Sequence, residues 1–319
     1  MFTATFRTPF IEADLNTLSE RYPVTNVISS GFTVLLRFIG NIFLSNITFS
    51  WFASVYSSLL VLLARLTGKK SIIVIGGVDV AKLPELEYGI WNSGWRSFLV
   101  TRGLRHAHVI IAVDESLKDD AKKLARYDGN NIVVVPTGYD GTTWFPHGKK
   151  ENSVLCVAKC DDVSRIRIKG IDFLLDVART MPEVHFIVIG IADTLRKQLS
   201  IPENVTVHPF VANAALLGFY QRTKVYFQPS LREGLPNTLC EAMLCECYPV
   251  GTNVGGIPTA IGSTGTILPY GDIDLASSAI RTGLASHACP EARERIIKHF
   301  SKEQRQEKLY SIIETLYRE

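Results

Sequence analysis

No Gly-x-Gly-x-x-Gly run follows any of the apolar segments of this 319-residue chain, so it lacks the phosphate loop of a dinucleotide-dependent dehydrogenase. Excess charge of one sign is also missing: 34 Lys+Arg against 31 Asp+Glu leaves +3, which with Asp161 and Asp162 beside the main basic run argues against nucleic acid as a partner. The six cysteines, Cys156, Cys160, Cys240, Cys245, Cys247 and Cys289, lack the spacing of a secreted disulfide framework, and no signal peptide is expected ahead of them. No histidine accompanies Cys240, Cys245 and Cys247, so they read as buried reduced thiols rather than metal ligands. Long apolar runs are few. Ile42 to Ala64 is 23 residues without a charge, but seven of them are Ser, Thr or Asn. Asn46 to Trp51 alternates with the period of a strand and Val55 to Leu66 continues as an apolar helix, which points to a buried strand and helix and not a membrane span.

What is present describes an ordinary globular chain: 46% apolar, 20% charged and 10% aromatic, with length for about two domains. Runs apolar on both faces recur at Ser71–Ile75, Val109–Val113, Ile132–Val135, Val154–Val157 and Phe186–Ile189, as in parallel sheets covered by helices. Between them Ile11, Leu15, Leu18 and Ile171, Leu174, Leu175, Ala178 are spaced as single helical stripes. The class is therefore α/β with doubly wound Rossmann-like sheets. The turn-rich stretch Pro136–Lys150 divides the chain into 1–150 and 151–300, and the helix 301–319, opened by the capping box Ser301–Gln304, is expected to pack back on the first domain. The first half carries 16 Lys+Arg against 12 Asp+Glu.

In such folds ligands bind beyond the carboxyl ends of the strands. After the strand Val225–Gln228 comes Pro229 to Met243, with Asn237 as a natural N-cap. Glu233 in its loop and Glu241 one turn into its helix can face one cleft floored by free helix amides, where carboxylates take hydroxyls and amides take phosphate. Gly234 and Pro236 shape a loop that lets backbone approach a ligand. Gly251 to Pro258 exposes further glycine amides. Lys159, at the end of its strand, and Lys169-Gly170, at a helix start, suit a diphosphate and the charge on a leaving group. Asp272 and Asp274 open a helix and read as a cap, so no metal is assigned.

These residues resemble the retaining glycosyltransferases of family four, also called group 1, which have the GT-B fold: two Rossmann-like domains whose parallel sheets face across a cleft. Glu233 and Glu241 fit that family's Glu, seven residues, Glu signature; Glu-Gly-Leu-Pro-Asn, Glu-Ala-Met and Lys169-Gly170 fit as well. Pro136–Asp140 with Phe145-Pro146 is similar to its linker, and Thr8–Asp14 to its opening loop. The resemblance implies that Glu241 binds the ribose hydroxyls, Glu233 touches the donor sugar, the amides of Leu235, Pro236-Asn237 and Thr238 hold sugar and phosphate, and Phe210 and Val211 meet the base. Departures are Lys159 for the usual Arg, Thr259 for a glutamate, and Gly76-Gly77-Val78-Asp79 where many relatives carry histidine, so that either Asp79 takes the polar role in that loop or the site is built differently. The first strand starts directly after Met1, and a few residues are expected upstream.

The expected protein is a metal-independent, cytoplasmic hexosyltransferase without a resident cofactor. It would move a sugar from a UDP- or GDP-sugar to a hydroxyl with retention, aided by Lys159, Lys169, Glu233 and Asp79, with the nucleotide in the second domain and the acceptor in the first. The basic first domain and the apolar segments Phe32–Phe43 and Val55–Leu66 suggest a lipid-linked acceptor or polysaccharide precursor and peripheral contact with a membrane. The rivals are a nucleotide-sugar epimerase or hydrolase on the same fold and a non-catalytic nucleotide-sugar-binding protein.

Overall fold

The computed structural model describes residues 1–28 and 33–318, which form two compact units, residues 1–138 with 302–319 and residues 139–301. Phe32, part of one apolar segment above, lies outside the described residues.

In the first unit β1 (Phe2–Ala4), β2 (Asn26–Ile28), β3 (Ile47–Trp51), β4 (Lys70–Ile75), β5 (Val109–Ala112) and β6 (Ile132–Val134) make one parallel sheet in the order β2-β1-β3-β4-β5-β6. Its helices are α1 (Pro9–Arg21), α2 (Thr33–Ile42), α3 (Val55–Leu66), α4 (Gly94–His106) and α5 (Glu115–Ala125). The central strands are apolar because helices cover them: Ile72, Ile73, Val74 and Ile75 are fully buried. The uncharged stretch from Ile42 becomes β3 and α3, the helix capped by Ser54, whose hydroxyl accepts from the Ser57 amide. Among the described residues no helix is long and apolar enough to cross a membrane.

In the second unit β7 (Glu151–Cys160), β8 (His185–Ile191), β9 (Val205–His208), β10 (Thr223–Gln228), β11 (Tyr248–Thr252) and β12 (Thr266–Leu268) pair in the order β12-β11-β10-β7-β8-β9, again all parallel. The order reverses between β7 and β10, the switch point beyond whose carboxyl ends such sheets bind ligands. The helices are α6 (Val163–Ile168), α7 (Ile171–Arg179), α8 (Asp193–Arg196), α9 (Asn213–Arg222), α10 (Asn237–Leu244), α11 (Ile257–Ile261), α12 (Ile273–Ala285) and α13 (Pro290–His299). Ile171, Leu174, Leu175 and Ala178 form the buried stripe of α7.

The division falls after Gly138 instead of at Lys150. Tyr139 to Lys150 goes with the second unit because the Tyr139 amide donates to the Phe300 carbonyl at 2.8 Å and the Lys150 ammonium to the carbonyls of Tyr220 and Thr223 at 3.0 Å. The last helix, α14 (Lys302–Arg318), belongs to the first unit. There Arg305 makes two bonds to the Asp14 carboxylate, 2.7 and 2.6 Å, and donates to the carbonyls of Val135 and Pro136. The Trp51 indole donates to the same carboxylate at 2.9 Å, completing a buried, matched set of charges and hydrogen bonds.

Candidate functional site

The loop after β10 is pinned from three sides. The Leu231 amide donates to the Ile168 carbonyl at 2.8 Å, the Gly256 amide to the Gly234 carbonyl at 2.8 Å, and the Thr252 hydroxyl to the Ser230 carbonyl at 2.5 Å. Two glycines make this packing feasible. A Cβ on Gly170, which adopts φ +66°, would lie 1.9 Å from the Pro229 oxygen, and one on Gly255, φ +54°, would lie 2.1 Å from the Glu233 oxygen.

The loop holds Glu233 at the switch point, where its Oε1 accepts from Lys169 Nζ at 2.5 Å, Ser230 Oγ at 2.8 Å and Gln228 Nε2 at 3.0 Å. The ion pair is largely shielded from water, with side-chain exposures of 22% and 10%. Lys169 closes α6, a helix over the basic run that is capped by Asp162, and Gly170 starts α7. The cation that opposes the α7 dipole is thus balanced by Glu233.

Beyond Glu233 the buried Gly234, Leu235 and Pro236 lead into α10. The expected N-cap, Asn237, is instead the first helical residue: Pro236 takes the cap position in extended conformation, and Asn237 Oδ1 accepts from the Tyr139 hydroxyl at 2.9 Å. Proline has no side-chain acceptor, so the amides of the first turn, Asn237 and Thr238, receive no side-chain cap and form a positive rim beside Glu233. The Thr238 hydroxyl accepts from Tyr226 at 2.7 Å.

Glu241 is buried one turn deeper, accepting from the Tyr220 hydroxyl at 3.1 Å and Asn213 Nδ2 at 3.3 Å, both on α9 seven residues apart and so on one face. Burial pushes its pKa up to about 7 against the pull of those two donors. Lys159 sits exposed one residue before the end of β7 with Nζ 5.7 Å over the ring of Phe210, which is 67% exposed; Val211 next to it is half-buried. Lys169 and Glu233 are thus brought together, Lys159 joins Phe210, and Glu241 stands with the α9 pair. Sequence reasoning missed Gln228, Ser230, Tyr220, Asn213 and Tyr139, the groups that orient these residues.

Asp79 is placed differently from expectation. It is buried in the first unit, Oδ1 accepting from the amides of Gly77 at 2.8 Å and Gly76 at 3.1 Å, and Oδ2 from the amide of Ala53 at 2.9 Å. Its oxygens are spent on closing the loops after β3 and β4, so its role is structural and not that of a polar group open to a sugar. The loop after β3 is also strained: Phe52 adopts φ +68°, its ring stacked 5.3 Å from Phe6 and the same ring 2.6 Å from where a Gly76 Cβ would stand.

Asp272 caps α12, accepting from the Leu275 amide at 2.9 Å. Burial pushes the thiols of Cys240 and Cys245 up to about 12, which leaves them protonated and poor nucleophiles or ligands. Among the described residues no group of three or more His, Cys, Asp or Glu side chains is arranged to hold a metal ion.

Two doubly wound parallel sheets with helices on their faces, one carrying a Lys–Glu pair and an uncapped helix N-terminus at its switch point, define the class as GT-B, and solved structures agree. Anabaena HepE in complex with UDP and glucose superposes with a TM-score of 0.76 at 14% identity over 98% of this chain and 91% of that one. Sucrose-phosphate synthase from Thermosynechococcus elongatus gives 0.74 at 16% identity over 93% and 82%. Residues 151–286 match the family Glycosyl transferases group 1, and this stretch of the chain belongs to it. Among curated proteins, alpha-maltose-1-phosphate synthase of Mycobacterium tuberculosis is 28% identical over 232 residues, 61% of this chain and 60% of its own length. The phosphatidylinositol N-acetylglucosaminyltransferase gpi3 subunit of Schizosaccharomyces pombe is 24% identical over 165 residues, 48% and 36%. The match thus spans about three fifths or less of these two curated relatives.

Proposed function

We propose that the protein is a retaining hexosyltransferase that moves a sugar from a UDP- or GDP-sugar to an acceptor hydroxyl without a metal or a resident cofactor. The observation that carries this reading is the shielded Lys169–Glu233 pair beside the open N-terminus of α10, one turn behind which the carboxylate of Glu241 is held by Tyr220. Glu241 binds ribose hydroxyls, Phe210 and Val211 flank the base, and the amides of Leu235, Asn237 and Thr238 hold phosphate and sugar. The bond from the anomeric carbon to the β-phosphate oxygen breaks and a bond to the acceptor oxygen forms on the same face. The acceptor's proton passes to the departing phosphate. Lys159 and Lys169 stabilise the charge that grows on that phosphate, and Glu233 fixes the donor sugar. The acceptor, a lipid-linked or polysaccharide precursor, is received by the first unit, and the enzyme works in the cytoplasm at the inner face of a membrane.

The test is a calorimetric panel of UDP, GDP, ADP and their sugars in EDTA with wild type, Glu241→Ala and Lys169→Ala. One base should bind, more weakly in both variants, and the product anomer read by NMR should match the donor. Binding by no nucleotide overturns the donor site, and sugar release or epimerisation without acceptor overturns the transferase in favour of an epimerase or hydrolase.

A further inference from the structure

We propose that the outer side of α2, α3 and α4 in the first unit docks on a bilayer of anionic lipid. The three helices form one layer, α2 packing on α3 and α3 on α4. None of them contains an Asp or Glu, whereas Arg37, Arg65, Arg96 and Arg102 on them are all exposed. Beside these cations stand apolar side chains in solvent. On α2 the exposed Leu36 and Ile39, with Phe43 in the turn directly after it, follow the spacing of one helix face, opposite Val34, Phe38 and Ile42 in the core with Leu60 and Ala64. Leu44 and Leu66, just beyond α2 and at the end of α3, are 83% and 84% exposed. On α4 Trp95 and Phe98 are exposed, with the guanidinium of Arg96 5.5 Å over the first ring and that of Arg102 5.2 Å over the second.

The pattern selects the partner by charge. An aromatic ring and a guanidinium at the same level suit the boundary between acyl chains and phosphate head groups, the ring in the former and the cation on the latter. A second copy of this chain on the same face would set arginine against arginine, and a protein surface of mixed sign would waste a face that carries one sign only. A sheet of uniform negative charge over an apolar interior satisfies both halves. This extends the membrane contact of the proposed function but stands apart from its chemistry, because vesicle binding is read without any sugar transfer.

The whole protein is floated with vesicles of phosphatidylcholine alone and of phosphatidylcholine with 30% phosphatidylglycerol. Binding is expected only to the second, falling as salt is raised. At about fivefold per arginine, Arg96→Gln with Arg102→Gln should weaken it roughly 25-fold. Trp95→Ser with Phe98→Ser should abolish flotation, and Leu36→Ser with Phe43→Ser should reduce it. All these positions face solvent, so an unchanged thermal midpoint certifies that the variants fold. No flotation with either vesicle, equal binding to the neutral one, or an arginine variant that floats like wild type overturns the proposal. So does sedimentation showing a dimer that the same substitutions dissociate.

Discussion

Replacing Glu241 with glutamine isolates the electrostatics of the candidate nucleotide site. In the unfolded chain this carboxyl titrates near 4.5, and in the fold burial lifts it to about 7. A carboxyl whose pKa is raised by folding favours the native state while protonated and loses that advantage as the pH climbs through the folded pKa. Wild type should therefore lose stability between about pH 4.5 and pH 7. At about 1.4 kcal/mol per pH unit, that gap is worth about 3 kcal/mol, a large share of the 5–15 kcal/mol typical of a domain. Glutamine keeps the shape and an oxygen for the Tyr220 hydroxyl but has nothing to ionise. Urea unfolding at pH 4, 6, 7 and 8 should give nearly equal stabilities for the two proteins at pH 4, and a variant more stable by about 3 kcal/mol at pH 8. Nucleotide adds a second reading. Ribose hydroxyls donate to the ionised carboxylate, so affinity should fall about tenfold per unit below pH 7 in wild type and stay flat in the variant. Parallel stability curves for the two proteins across this range would refute the assignment of a raised pKa to Glu241.

Lys169→Ala leaves Glu233 shielded with only Gln228 and Ser230 as donors, and should cost about 2 kcal/mol in thermal unfolding and about 100-fold in kcat, measured with saturating donor. Gly170→Ala forces a side chain into the left-handed region and against the Pro229 carbonyl; chemical denaturation should show a loss of about 2–4 kcal/mol. Arg305→Met removes the partner of buried Asp14 while leaving the Trp51 bond, and calorimetry should show about 3–5 kcal/mol less stability, confined to the transition of the first unit.

The parallel sheets were legible because a strand covered on both faces has to be apolar throughout, as Ser71–Ile75 and Val109–Val113 are. The short edge strands β2, β9 and β12 were not, since their three or four residues mix apolar with polar ones, whereas the equally short edge strand β6 lies in the unbroken apolar run Ile132–Val135. Glu233 and Glu241 were found because their loop joins a clear strand to a clear helix. Their partners were hidden: Tyr220 and Asn213 look like ordinary helix residues, and only the pairing of α9 with α10 turns them toward Glu241. Asn237 and Asp79 show the opposite failure. Each has the residue type its expected role needs, but a distant group takes it up, the Tyr139 hydroxyl in one case and the Ala53 amide in the other. Local chemistry nominated them, and tertiary contacts reassigned them.

The return of α14 to the first unit sets an order of events during synthesis. The second unit, residues 139–301, is an unbroken stretch of chain and has all its parts before α14 is made. The first unit has its sheet early but must wait for the cation that pairs with Asp14, on an arginine 291 residues downstream. Nascent chains ordinarily complete their domains from the amino end onward. Here the later-made unit has all of its chain first, and the earlier one lacks the strap that carries Arg305 until the end of synthesis.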